Sequence, residues 1–345
     1  MEKSSFNWKR RKHMKRKIFV SMIIALFTCA TMFAAGTQEQ SKNLSKVTVQ
    51  IEGSAVPYYA PIFVAIENGF FSEEGLEVDY MFGNAADITK NVAVGNVEFG
   101  FPNGEPVITA RSQGIPVKVV HSTLQHSLGA TIFLKNRGIN SPKDLRGKTV
   151  AITSLGSPNY VQLQALLKKN GMDLDDIKIE VIGTEAIVPA LVNGRVDAIC
   201  FSMLRTFELK SQGVDVGEFR SDEFMPSFGN VVVVGENYLK KNEQQVIAFK
   251  NALDKSMTYL SNKEHLKETI PTIIQKYTPT YVGKEDYMTG IIGTVYADYL
   301  WVGQDVEMNG FGYSNVDKWQ STIDKMYEYN LLERRVDAST LVWNN

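Results

Sequence analysis

Gly95-Asn96-Val97-Glu98-Phe99 returns 99 positions later as Gly194-Arg195-Val196-Asp197-Ala198. Each copy is a helix-stopping glycine, a polar residue, a valine, an acid and an apolar residue. The glycine supplies a left-handed helix cap, and the apolar residues lead into a buried strand. Each copy also sits at the same place in a longer rhythm. Before the first, 47–51 and 76–80 alternate as strands and 60–69 and 85–95 read as helices closed by Gly69 and Gly95. After it come a strand at 97–101, a helix at 105–114 and a strand at 117–120. The second series holds strands at 148–152, 177–182 and 196–201, with helices ending at Gly171 and Gly194. Strands separated by helical stretches of this length imply parallel βαβ units. Two matching series imply two similar α/β lobes.

Beyond a strand at 231–234 the chain turns helical. Val246, Phe249, Leu253, Met257 and Leu260 recur at spacings of three and four, as do Val316, Trp319, Ile323 and Met326, so each set marks an amphipathic helix. These helices are expected to pack on the first lobe, which makes the chain cross between lobes twice, near 122–130 and 225–235. The expected domains are 46–125 plus 231–345 for lobe 1 and 126–230 for lobe 2, joined by a two-crossing hinge able to close on a ligand.

The N-terminus reads as an export signal. KRRKHMKRK spans Lys9 to Lys17, residues 18–37 carry no charge, and Ala34, Ala35 and Gly36 offer small residues for cleavage. The expected signal peptide is 1–36, with Met14 as an alternative start and Cys29 as a candidate lipid anchor. Residues 1–35 hold eight Lys or Arg and one Glu, so the rest carries −8 of the overall −1. An acidic body argues against a nucleic-acid partner. Cys200 alone remains beyond that segment, which excludes a disulfide framework and a cysteine metal site. His13, His121, His126 and His265 form no ligand set. Gly147-Lys148-Thr149 lacks the first glycine of a phosphate loop and opens a strand instead of a helix. Trp301 and Trp319 read as core. No cofactor and no metal is called for.

PYYAPIFVAIENGFFSEEGLEVDY at 57–80, SPKDLRGKTVAITSLGSPNY at 141–160 and NGRVDAICF at 193–201 resemble corresponding stretches of the SsuA/THI5-like (NMT1-like) solute-binding proteins. The likeness runs from about Val47 to about Leu332. It implies a type II periplasmic-binding-protein fold, a small-molecule ligand held between lobes, and an ABC permease and ATPase as partners. The protein would then act as an exported monomer that meets the membrane only through the permease or a lipid at Cys29. Ligands across the family include thiamine pyrimidine precursors, riboflavin, taurine and other sulfonates. The family's Trp-Glu-Pro-like run is absent near 202–205. Yeast-type pyrimidine synthases share the resemblance, but they carry a CCCFC iron motif that two cysteines cannot supply. A ligand-sensing lobe protein is the third reading.

In open α/β sheets, ligands bind beyond the carboxyl ends of the strands. That rule selects Tyr58 and Tyr59, as faces for a flat ring, and Asn84 and Asp87, where capping competes with ligand contact. It also selects Asn103 and Glu105, the latter as a cleft carboxylate accepting from an amino-heterocycle. In the second lobe it selects Ser157, Asn159 and Tyr160 at a helix start, then Glu185, Ser202 and Arg205. Aromatic loops in an acidic body favour an aromatic heterocycle, a thiamine-type pyrimidine before riboflavin. Sulfonates would want more cations than Arg205.

Overall fold

The computed structural model describes residues 44–345. The expected signal peptide, with Met14 and Cys29, lies outside the described residues. Among these, no helix is long and apolar enough to cross a membrane.

Among the described residues, ten strands form two five-stranded sheets. The first holds β1 (Ser45–Glu52), β2 (Leu76–Gly83), β3 (Phe99–Phe101), β4 (Val117–His121) and β10 (Val232–Gly235), in the order β2-β1-β3-β10-β4. The second holds β5 (Gly129–Leu134), β6 (Thr149–Ile152), β7 (Lys178–Val181), β8 (Ala198–Ser202) and β9 (Val216–Arg220), in the order β7-β6-β8-β5-β9. In each sheet the first three strands are parallel and the fourth runs against its neighbours. The two sheets therefore have one topology, and the fold is the two-lobed type II periplasmic-binding-protein fold. β5 and β9 were not expected from the sequence, and the sheets are mixed where parallel units were expected. Each antiparallel strand is the first strand after a crossing, which the βαβ rhythm does not register.

The repeated five-residue motif has a structural task in both halves. Gly95 and Gly194 adopt left-handed φ values of 81° and 72°. The acid then accepts a hydrogen bond from the backbone N–H of the adjacent strand: Glu98 Oε2 from Thr48 at 2.8 Å, Asp197 Oδ2 from Thr149 at 2.9 Å. Apolar residues of β1 and β6 are buried on entry to the sheets, Val47, Val49 and Ile51 in one and Val150, Ala151 and Ile152 in the other. The 243–261 helix buries Val246, Phe249, Leu253, Met257 and Leu260 and packs on the 60–67 helix. Trp301 and Trp319 are buried, the latter stacked on Phe228 with centroids 4.9 Å apart.

The two crossings, 122–128 and 221–231, are bonded to each other. Leu124 N donates to Asn230 O at 3.0 Å and Gly229 N donates back to Leu124 O at 3.0 Å. The approach is so close that a Cβ on Gly229 would lie 2.8 Å from the His126 carbonyl oxygen.

Glu98→Ala and Asp197→Ala remove equivalent charged acceptors and leave a strand N–H unpaired. Each is expected to cost about 1.5–3 kcal/mol, read as a lower denaturant midpoint at unchanged slope.

Candidate functional site

The carboxyl ends of β1, β6 and β8 open on one cleft of about 730 Å³, within the range of small-molecule sites. One wall begins at Glu52, the last residue of β1. Gly53 turns the chain at φ 84°, and a short 3₁₀ turn, Pro57–Tyr59, presents two tyrosines. Tyr58 stacks on Tyr296, with centroids 5.2 Å apart and planes at 11°. Tyr59 packs edge-on against Phe101, and its hydroxyl donates to the Glu52 carbonyl. Tyr296 is carried by a π-helical stretch, Ile292–Leu300, a winding often found at functional sites.

Glu52 is the acid of this wall. Its Oε2 accepts from Asn103 N at 2.7 Å and from Asn103 Nδ2 at 2.9 Å. Oε1 accepts no hydrogen bond from the described residues. Burial pushes this carboxyl up from 4.5 to about 7; the two Asn103 bonds oppose the shift and the neighbouring Glu105 charge adds to it. Thr278 is buried on the same cleft, and its Oγ1 has no partner among the described residues.

The opposite wall is built from the second sheet. Thr153 follows β6, and Ser157 caps the 158–169 helix by accepting from Tyr160 N at 3.3 Å while donating to Ser154 O at 2.8 Å. Asn159, the second residue of that helix, lies on the cleft, and exposed Glu185 lies at the start of the 184–192 helix. Ser202 ends β8. Arg205 is the second residue of the 204–211 helix, lies over the Phe201 ring at 5.3 Å, and donates to Glu208 Oε2 at 2.6 Å.

The structure thus brings Tyr58, Tyr59, Asn103, Ser157, Asn159, Glu185, Ser202 and Arg205 onto one cleft. Four residues singled out from the sequence are elsewhere. Asn84 and Asp87 are exposed and spend their polar atoms on each other at a helix start: Asp87 N donates to Asn84 Oδ1 at 2.9 Å, and Asn84 Nδ2 donates to Asp87 Oδ2. Tyr160 packs against the hydrophobic core. Glu105 is fully buried, not on the cleft. Its Oε1 accepts from Gln162 Nε2 at 2.8 Å and from Ser227 Oγ at 2.6 Å, so it ties the 104–112 helix to the 158–169 helix and the second crossing. Residues missed from sequence include Glu52, Gln162, Glu208, Thr278, Tyr281, Lys284 and Tyr296. The strand-end rule would have reached Glu52 had the loop been started at the last residue of β1, two residues before Ser54. It has no reach into the helical 278–296 segment.

Residues 56–264 match the model of the NMT1/THI5 like family, and the chain belongs to it. It is 26% identical over 317 residues to the riboflavin-binding protein RibY of Chloroflexus aurantiacus, covering 90% of this chain and 88% of that protein. It is 28% identical over 252 residues to the formylaminopyrimidine-binding protein of Halalkalibacterium halodurans, covering 72% and 76%. It is also 29% identical over 225 residues to the 4-amino-5-hydroxymethyl-2-methylpyrimidine phosphate synthase of Schizosaccharomyces pombe, covering 61% and 64%. Among solved structures, the alkanesulfonate-binding protein SsuA of Xanthomonas axonopodis pv. citri, bound to MOPS, superposes with a TM-score of 0.64. That likeness, at 16% identity over 87% of this chain and 98% of SsuA, concerns the fold.

The raised Glu52 carboxyl sets a pH dependence. The folded protein retains a proton that the unfolded chain releases near 4.5, so this contribution to stability is full below pH 4.5 and is lost as pH rises through about 7. Glu52→Gln is expected to flatten that decline in urea unfolding followed from pH 4.5 to 8. A decline as steep as in the wild type would contradict it.

Proposed function

We propose that this chain is the extracytoplasmic solute-binding subunit of an ABC importer. Its cleft takes a flat nitrogen heterocycle, an aminopyrimidine of the thiamine-precursor kind. The observation that carries the reading is Glu52. A half-buried acid with one oxygen saturated by Asn103 and the other open to the cleft is a directed acceptor for a ligand N–H. A proton on Oε2 would oppose the two Asn103 donors, so Oε1 is the atom that meets the ligand. The aromatic wall of Tyr58, Tyr59 and Tyr281 offers faces for a ring. The formylaminopyrimidine-binding relative supports the same reading.

Riboflavin is the second reading, favoured by the size of the cleft. A single pyrimidine ring would leave much of 730 Å³ to water, whereas a three-ring flavin with its sugar chain would fill more of it. Its ring N–H could meet the same Glu52 oxygen. Catalysis of the synthase kind is not part of this proposal. The chain has two cysteines, and Cys200 is buried beside Thr131, its thiol pushed up to about 12 by burial. An importer permease and ATPase are the partners this function requires, and export by residues 1–36 is the route.

Protein refolded to remove bound solute is expected to be stabilised by hydroxymethylpyrimidine, formylaminopyrimidine or riboflavin, and not by taurine. At 100 times the dissociation constant the gain is about 2.7 kcal/mol. Stabilisation by taurine alone would overturn the reading. Affinity for the responding heterocycle should weaken as pH falls below about 7, up to about tenfold per unit, because protonation removes the acceptor. Glu52→Gln should abolish that slope; an unchanged slope would assign it to the ligand.

A further inference from the structure

Among the described residues, two cations line the cleft, and one acid engages both. Arg205 Nη1 donates to Glu208 Oε2 at 2.6 Å, and Lys284 Nζ lies 3.6 Å from Glu208 Oε1. All three residues line the cleft, yet they come from two distant segments: Arg205 and Glu208 from the helix after β8, Lys284 from the turn that follows the 263–277 helix. Arg205 and Glu208 side chains are each 19% exposed, so this pair is partly withdrawn from water and is screened less than a surface pair. Lys284 is 50% exposed and contributes less.

A spacing of i,i+3 on a helix is common and by itself means little. Here the pair faces the ligand space, and the guanidinium is further fixed against the Phe201 ring at 5.3 Å. Both oxygens of Glu208 are used, one per cation. An incoming sulfonate, carboxylate or phosphate would have to share Arg205 with Glu208 and face a like charge at close range, which disfavours it. Glu52 and Glu185 add to the same bias.

Building on the proposed solute-binding role, we propose that Glu208 is the specificity-determining residue that sets the charge class of the ligand. It acts as an internal counter-ion to Arg205 and Lys284, so the cleft accepts uncharged heterocycles and rejects anions. Removing this one carboxylate turns the same cleft into an anion site.

The test is isothermal titration of the refolded protein with benzenesulfonate, an aromatic ring carrying a fixed negative charge. The wild type is expected to show at most weak binding. Glu208→Gln should bind benzenesulfonate at least about tenfold more tightly, and Arg205→Gln in the Glu208→Gln background should remove the gain. Glu208→Ala serves as the second variant if the glutamine does not give a cooperative thermal transition. Wild-type binding as tight as that of either variant would overturn the proposal. So would a folded Glu208 variant with no gain, or a gain that survives Arg205→Gln. The sulfonate arm does not depend on any heterocycle binding, so its failure is distinct from failure of the heterocycle reading.

Discussion

The hydrogen bonds between the two crossings are the constraint on which the rest of the molecule depends. Leu124 and Gly229 exchange backbone bonds with the opposite strand of chain, and only a glycine fits where the His126 carbonyl approaches. Because the chain crosses out and back along one line, each sheet receives its antiparallel fourth strand directly after a crossing, β5 in one and β10 in the other. That shared construction turns the carboxyl ends of β1, β6 and β8 toward one another. The ligand space is the consequence, and motion about two adjacent connections is the motion this geometry permits. Glu105 lies beside the same line, bonded to Gln162 and Ser227, so a buried carboxyl helps to join both lobes to the crossing.

The chemistry of the cleft follows from which of its polar atoms are spent on the protein itself. Ser157 and Ser202 spend hydroxyl capacity on nearby backbone, and Arg205 is paired with Glu208. Glu52 Oε1 is left without a partner among the described residues, on the same cleft as Asn159 and exposed Glu185. A half-buried acceptor is costly to leave unmade, and a ligand N–H that meets it offsets that cost.

Much of the fold was legible because it is written in local terms. The Gly-x-Val-acid motif at 95–98 and 194–197 announced two halves, and the structure shows why the acid recurs: it caps an adjacent strand N–H in each. β5 was not legible, because GATIFL begins at the end of the stretch read as a crossing, near 122–130, and β9 is a short strand that includes a glycine and two charges. The site was legible only where it follows strand ends. Tyr58, Tyr59, Asn103 and Arg205 were reached in that way, whereas Tyr296 comes from a helical stretch and Thr278 and Lys284 from the connections between C-terminal helices, with no local mark of a cleft. Glu105 was read as the cleft acid because it opens a helix after β3. Its burial against Gln162 and Ser227 is a tertiary fact, and the acid on the cleft is Glu52, which closes β1.

The most direct test of capture between two closing lobes is small-angle X-ray scattering of the refolded protein, without solute and with the heterocycle that gives the largest thermal stabilisation. Closure about the two crossings predicts a smaller radius of gyration in the loaded protein and a return to the larger value after the solute is removed. An unchanged radius at saturating solute would contradict capture by closure and would leave the cleft as a rigid surface.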